Sequence, residues 1–488
     1  MRKAMEKAVK RWKGRAANFG GISVKRMVAG LLAVMMTAGV CTSCGTQSAD
    51  TDENGRTVIS VGGWPTSTAS NYERMENQKA EFEAENPDVI IEPDTWSFDL
   101  QTFYPKAEAG MLPTVYYTNF TEIPKIIDGG YSADLTDVLN QRGYEGKFDP
   151  KIEELVSEDG RIYAFPYAAH VMGLAYNTEM LAAAGLMSED GTPMQPQNWE
   201  ETAEFAVRIK EATGKPGMMF PTSNNVGGWI FTCLAWSFGV DFMEQDENGQ
   251  WQATFNTPEC VEALEYIKSL KWTYDVLPAN TLIDLDEYYR TFATGGAGMM
   301  IAPGDYPRFV TAYDMIPDQV GMMALPAGPE RHVTLLGGGL APIAQDSTEK
   351  QIDAAIRWLE KRGYGHELTE SAKASMEDTI EAELEQNQLV GIKGISVWNQ
   401  DTDIVNYRNS LIDKYANSNP NHVKLYNEFV LDSNVELQAE EPVCAQDLYG
   451  VLDNCIQEVL SNPDADCAAL IEDANSDFQT NFLNNVDY

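Results

Sequence analysis

The sequence predicts an α/β protein of two lobes, and three observations predict it. At 488 residues the chain is roughly two to four times the length of an ordinary domain. It is 43% hydrophobic and 10% aromatic, enough apolar side chain to fill more than one core. From residue 57 onward, short apolar runs alternate with amphipathic helical stretches, the pattern of a parallel sheet covered by helices on both faces.

The elements follow in order. Residues 57–62, TVISVG, read as a buried strand ending in glycine. Residues 71–86 place Tyr72, Met75 and Phe82 on one helical face and stop at Asn86-Pro87. VIIE at 89–92 is a second strand, 99–110 is helical, and 115–119 is a third strand. Such sheets bind ligands beyond the carboxyl ends of their strands, so the loops 63–70 and 117–123 are the ones to watch. Asp159-Gly160 marks a turn, 162–166 and 171–177 are strand-like, and a helix at 178–184 closes at Gly185. Asn198-Trp199-Glu200-Glu201 opens an amphipathic helix to about Ala212 with a capping-box-like start. Asn248-Gly249 reads as a hairpin turn, and Thr257-Pro258 as N-cap and first residue of another helix. Strands recur at 298–301, 320–325 and 333–336, and everything after about 347 looks helical. No internal repeat is visible.

The N-terminus reads as an address. Residues 1–26 hold nine basic side chains and one acid, Glu6, and residues 27–40 form a 14-residue apolar run, too short to span a bilayer comfortably. Cys41-Thr42-Ser43-Cys44-Gly45 follows. A cysteine after small residues at such a place resembles the lipobox of bacterial lipoproteins, and Cys44 fits the lipidated position better than Cys41, which follows the bulky Val40. Residues 1–43 are expected to be a signal peptide, and 44–56 a flexible lipid-anchored tether on the outer face of a bacterial cytoplasmic membrane. Within the tether, Asp50 to Gly55 matches half of an EF-hand loop, but the twelfth position is Val61 instead of a bidentate Glu, so calcium is rejected.

Charge excludes other classes. The 74 acidic against 35 basic residues give a net charge of −39, the opposite of a nucleic-acid footprint and unsuited to an anionic membrane surface. Seven cysteines are too few and scattered for a disulfide framework. There is no Gly-x-Ser-x-Gly elbow and no His-Glu-x-x-His helix, and the four histidines are far apart, so neither metal nor cofactor is expected. A carboxylate pair for glycoside hydrolysis stays open, since so many acids guarantee close pairs.

Several segments, in this order, carry a resemblance. Gly160-Arg161-Ile162-Tyr163-Ala164-Phe165-Pro166-Tyr167 is followed by Gly173-Leu174-Ala175-Tyr176-Asn177-Thr178-Glu179-Met180-Leu181, Ala184-Gly185-Leu186 and Asn198-Trp199-Glu200-Glu201. Then come Phe292-Ala293-Thr294-Gly295-Gly296-Ala297-Gly298-Met299-Met300-Ile301, Gly321-Met322-Met323-Ala324-Leu325-Pro326 and Leu336-Gly337-Gly338-Gly339-Leu340-Ala341-Pro342-Ile343. The set, over about 57–362, resembles the extracellular solute-binding proteins of ATP-binding-cassette importers, in their carbohydrate-binding, maltose-binding-protein-like group. Where many members read Gly-Pro-Trp after the strand at 298–302, this chain has Pro303-Gly304-Asp305-Tyr306, and a common aromatic contact is gone. The tail after about 365 matches no motif.

The resemblance implies the type II periplasmic-binding-protein fold with three interlobe crossings, near 168–172, 298–302 and 342–346. It implies a first lobe of 57–169 plus 300–343 and a second of 172–298 plus 346–488. It also implies a monomer that captures a carbohydrate between the lobes and delivers it to transmembrane permease subunits, without chemistry on the ligand. The alternatives are a surface lipoprotein glycoside hydrolase or a binding protein for a non-sugar solute.

A sugar offers an apolar CH face and a rim of hydroxyls, so its site needs flat aromatic rings and fixed donors and acceptors. Trp199, Trp272 and Trp358 sit in amphipathic helical patterns and read as core, and Trp251 as a hairpin flank. The candidate ligand contacts are Trp64 directly after the first strand, Trp96 at a helix entry, Trp229 and Trp236 seven residues apart, and Trp398 in the tail. Tyr117 and Asn119 end the third strand, and His170, Asp305 and Gly338 lie at or beside the three crossings. A neutral His170 can donate and accept, Asp305 can accept from a pair of hydroxyls, and Gly338 offers bare backbone.

Overall fold

In the computed structural model, the described residues are 50–486 other than Ser70. The signal peptide at 1–43 and the anchor candidates Cys41 and Cys44 lie outside them. Residues 50–56, expected as a tether, instead turn back onto the first strand. Asp52 accepts from the backbone of Asn54 and Arg56 and pairs with the Arg56 guanidinium at 2.7 Å, while Val58 N donates to Asp50 O.

The apolar run Thr57–Val61 pairs in parallel with Val89–Pro93, and the helix Tyr72–Glu85 between them buries Met75 and Phe82. The expected third strand is reduced. Val115 makes single bridges to Val61 and Ile343, and Thr118–Asn119 forms a two-residue strand against Gly339 and Leu340.

One strand organises the rest. Ala164–Asn177 runs for 14 residues without a break, where the sequence suggested two strands. Its first half, 164–171, is antiparallel to 336–342 of the strand Val333–Pro342. Beyond residue 171 it takes new partners on either side, Met299–Pro303 and Val320–Met323. The Val333–Pro342 strand likewise changes company, since Val333–Leu335 pairs in parallel with Glu436–Gln438. The two strands approach closely at the glycines: a Cβ on Gly338 would lie 2.3 Å from Ala168 O, and one on Gly337 2.5 Å from His170 Nε2. Only glycine permits that spacing.

Three placements correct the expected lobe boundaries. Met299–Pro303, and Val320–Met323 after it, were assigned to the first lobe beyond residue 300 but lie along 172–177. Along 333–342 the change of partner comes at the start and not at the expected 342–346, because the run continues as one strand through the glycines. Helix Glu349–Leu359, expected in the second lobe, joins the first strand: Gln351 Nε2 donates to Val58 O at 3.0 Å and Arg357 pairs with Asp88 at 3.0 Å. Trp398 follows it there and stacks on Phe148, 5.0 Å away at 14°. Apolar periodicity marks these segments as packed without saying against what.

The tail then builds the other half. Tyr426 Oη donates to Val171 O at 2.8 Å, and helix Ala445–Ser461 lies along helices Val226–Ser237 and Pro258–Trp272. Among the described residues no helix is long and apolar enough to cross a membrane.

Candidate functional site

The helix Val226–Ser237 positions the principal aromatic. Asn224 and Asn225 precede it at φ 58° and 68°, a left-handed geometry that asparagine tolerates. Asp453, on helix Ala445–Ser461, accepts from the backbone of Asn225 at 2.7 Å and Gly228 at 2.8 Å, capping the helix from outside. Gly228 is required by close packing, because a Cβ there would sit 2.2 Å from Tyr449 O. Every residue of this helix is buried except Trp229, which is partly exposed. Trp229 is thus the one ring that this otherwise buried helix offers to solvent.

Trp229 lines a cavity of about 410 Å³, and Asn119, His170, Asp305 and Gly338 line it too. Asp305 follows the strand Met299–Pro303 and pairs with Arg308 at 2.7 Å. His170 faces Gly337 across the two long strands, and Gly338 lies beside it opposite Ala169. Burial lowers the His170 pKa against the opposing pull of Asp305 and Glu440, so the imidazole is neutral at pH 7 and can both donate and accept.

Three contributors were not foreseen. Tyr289 and Phe309 stack at 4.9 Å and 4° at the cavity wall. Phe309 supplies an aromatic surface four residues after Asp305, whereas Tyr306 is fully buried and donates to Gly321 O at 2.8 Å. Glu440 accepts from Tyr449 at 2.9 Å and from Thr121. The Asp305-Tyr306-Pro307-Arg308-Phe309 segment was a detectable signal, while nothing local distinguishes Glu440 in so acidic a chain.

The other candidates are elsewhere. Trp64 is only 3% exposed, stacks on Trp358 at 5.9 Å and donates to Glu76 at 2.9 Å. Trp236 is fully buried and donates to Glu441 at 3.0 Å, and Trp398 lies in the core described above. Trp96 lies at the surface, donating to Thr102 under Lys106. Tyr117 meets Tyr167 edge to face at 5.6 Å, and burial pushes its hydroxyl up to about 12. Apart from Trp96, these rings face inward and fill cores or close contacts. No cluster of three or more His, Cys, Asp or Glu side chains among the described residues is placed to hold a metal ion.

The buried Glu441 carboxyl, which accepts from Trp236, gives a pH prediction. Burial raises its pKa from 4.5 to about 7, against the Trp236 hydrogen bond. The folded protein therefore keeps a proton that the unfolded chain has released, and this stabilisation, complete below pH 4.5, is lost as pH rises through about 7. Glu441→Gln is expected to flatten the fall in stability over that window, read from urea unfolding at a series of pH values; an unchanged slope would remove Glu441 as its source.

The family model for bacterial extracellular solute-binding proteins matches residues 65–361, more than half of the chain and most of the elements just described. The chain belongs to that family. Its members bind solutes outside the cell and are not enzymes. The lactose-binding protein of Rhizobium radiobacter is 27% identical over 242 residues, 47% of this chain. That stretch is 51% of the relative, so the chain spans about half of its length. The sn-glycerol-3-phosphate-binding periplasmic protein UgpB of Escherichia coli (strain K12) is 21% identical over 63% of this chain and 71% of its own. Among solved structures, the cyclic α-maltosyl-1,6-maltose binding protein of Arthrobacter globiformis superposes with a TM-score of 0.62 at 20% identity, covering 86% of this chain and 98% of that one. Maltose-bound MalE3 of T. maritima gives 0.61 at 21% identity, with 86% and 99% covered. At such identities the likeness is one of fold, the α/β periplasmic-binding-protein fold with a helical C-terminal region.

Proposed function

We propose that the protein is the substrate-binding subunit of an ATP-binding-cassette importer. It captures a sugar or oligosaccharide in the cleft at Trp229 and delivers it, unmodified, to permease subunits. The observation that carries this is the composition of the cavity wall. The partly exposed ring of Trp229 and the stacked Tyr289 and Phe309 suit the CH face of a sugar, while Asp305, His170 and Asn119 suit its hydroxyl rim. The lactose- and maltose-binding relatives lend support. Two lobes, joined where 164–177 and 333–342 change partners, would close on the ligand, and the closed form is favoured only by contacts made from both sides. On this reading Cys44 carries the lipid that tethers a monomer outside the cytoplasmic membrane.

A thermal-shift screen over neutral and acidic glycans tests the proposal. A true ligand at 100 times its Kd adds about 2.7 kcal/mol of stability. No shift across the panel would sink the sugar assignment, and shortened glycan products after incubation would favour the hydrolase instead. Cys44→Ser should release the protein into the medium, and retention at the membrane would refute the anchor.

A further inference from the structure

A second cavity, of about 400 Å³, adjoins the cleft, and His170 and Asp305 line both. Its far wall is the tail: helices Glu370–Glu385 and Asp403–Tyr415, which hold a small apolar cluster of their own around Ile380 and Leu411. This chamber is rich in arginine although the chain is strongly acidic.

The cations in it differ in what compensates them. Arg308 is paired with Asp305, and Lys393 with Asp413 at 2.9 Å. Arg362 lies over the rings of Trp358 and Tyr364, at 5.8 and 5.7 Å, and no carboxylate among the described residues pairs with it. Arg408 makes neither hydrogen bond nor ion pair among the described residues; Glu383, across the chamber, acts on it only through space. A half-buried guanidinium without an acceptor is costly, and a protein with 74 acidic residues has left this one unmatched. Guanidinium forks suit the paired oxygens of an oxyanion.

We propose that the solute carries an oxyanion, a carboxylate or a sulfate or phosphate ester, seated against Arg362 and Arg408 while its neutral body lies beside Trp229. This rests on the sugar-binding reading and narrows it to an acidic sugar. Glu383, which has no donor of its own, is placed to accept from a hydroxyl next to the oxyanion.

Calorimetric titration of the full-length protein with matched glycan pairs tests this. Each pair sets a uronate-terminated oligosaccharide against its methyl ester, or a sulfated or phosphorylated one against its parent. The acidic member of at least one pair is expected to bind tenfold tighter or better. Arg408→Gln and Arg362→Gln should each abolish that advantage, lowering the affinity for the acidic member far more than for the neutral one and without lowering the melting temperature, and Arg408→Lys should retain part of it. Which pair responds identifies the source of the oxyanion. Neutral members that bind as tightly as acidic ones, unaffected by either variant, would overturn the oxyanion seat and leave the sugar reading standing. Binding of glycerol 3-phosphate alone, lost in Arg408→Gln, would keep the seat and overturn the sugar. Silence from every probe would overturn both.

Discussion

Replacing Trp64 by alanine is expected to lower the unfolding free energy by about 3–5 kcal/mol and leave ligand affinity unchanged. Its position directly after the first strand made it a candidate for ligand contact, but the ring is turned inward. It stacks on Trp358, which in turn meets Phe82 edge to face at 5.5 Å. Truncation would open a cavity among these rings and strip Glu76 of its indole donor. Urea unfolding gives the stability and titration with a bound glycan the affinity. A weakened ligand with unaltered unfolding would return Trp64 to the cleft.

Trp229→Ala is expected to behave in the opposite way, weakening binding by about 2 kcal/mol, roughly thirtyfold, as for a buried aromatic anchor. Its helix is held by Asp453 and by the burial of every other residue, so unfolding should change little. Trp229→Phe should recover part of the affinity by restoring a flat apolar face. Unchanged affinity in Trp229→Ala would remove the cleft at this ring as the binding site.

The fold was legible because its elements are written locally. The apolar run 57–61, the Asn198 and Thr257 caps and the order of segments from 160 to 343 each depend on a few neighbouring residues. Of the candidate site, the sequence suggested the residues that come to line one cavity where chain and sheet edge coincide: Asn119, His170, Asp305 and Gly338 stand at strand ends or partner changes, and Trp229 at a glycine-opened helix. Other aromatics misled, because a tryptophan has the same local signature in a core as in a cleft. What turns Trp64 inward is Trp358, and what covers Trp398 is Phe148, partners hundreds of residues distant. Arg408 was invisible for the same reason, since its lack of a counter-ion is a property of the assembled chamber.

The tail's itinerary has a consequence for how the protein comes into being. Residues 349–398 complete the half built around the first strand, and 426–461 complete the half around 172–177. The half around the first strand has its full interior only once residue 398 exists, and the half around 172–177 only after the final helices, so both mature late. Long-range closure of this kind folds slowly, which keeps the newly made chain loose during the interval when an exported protein has to be threaded across a membrane.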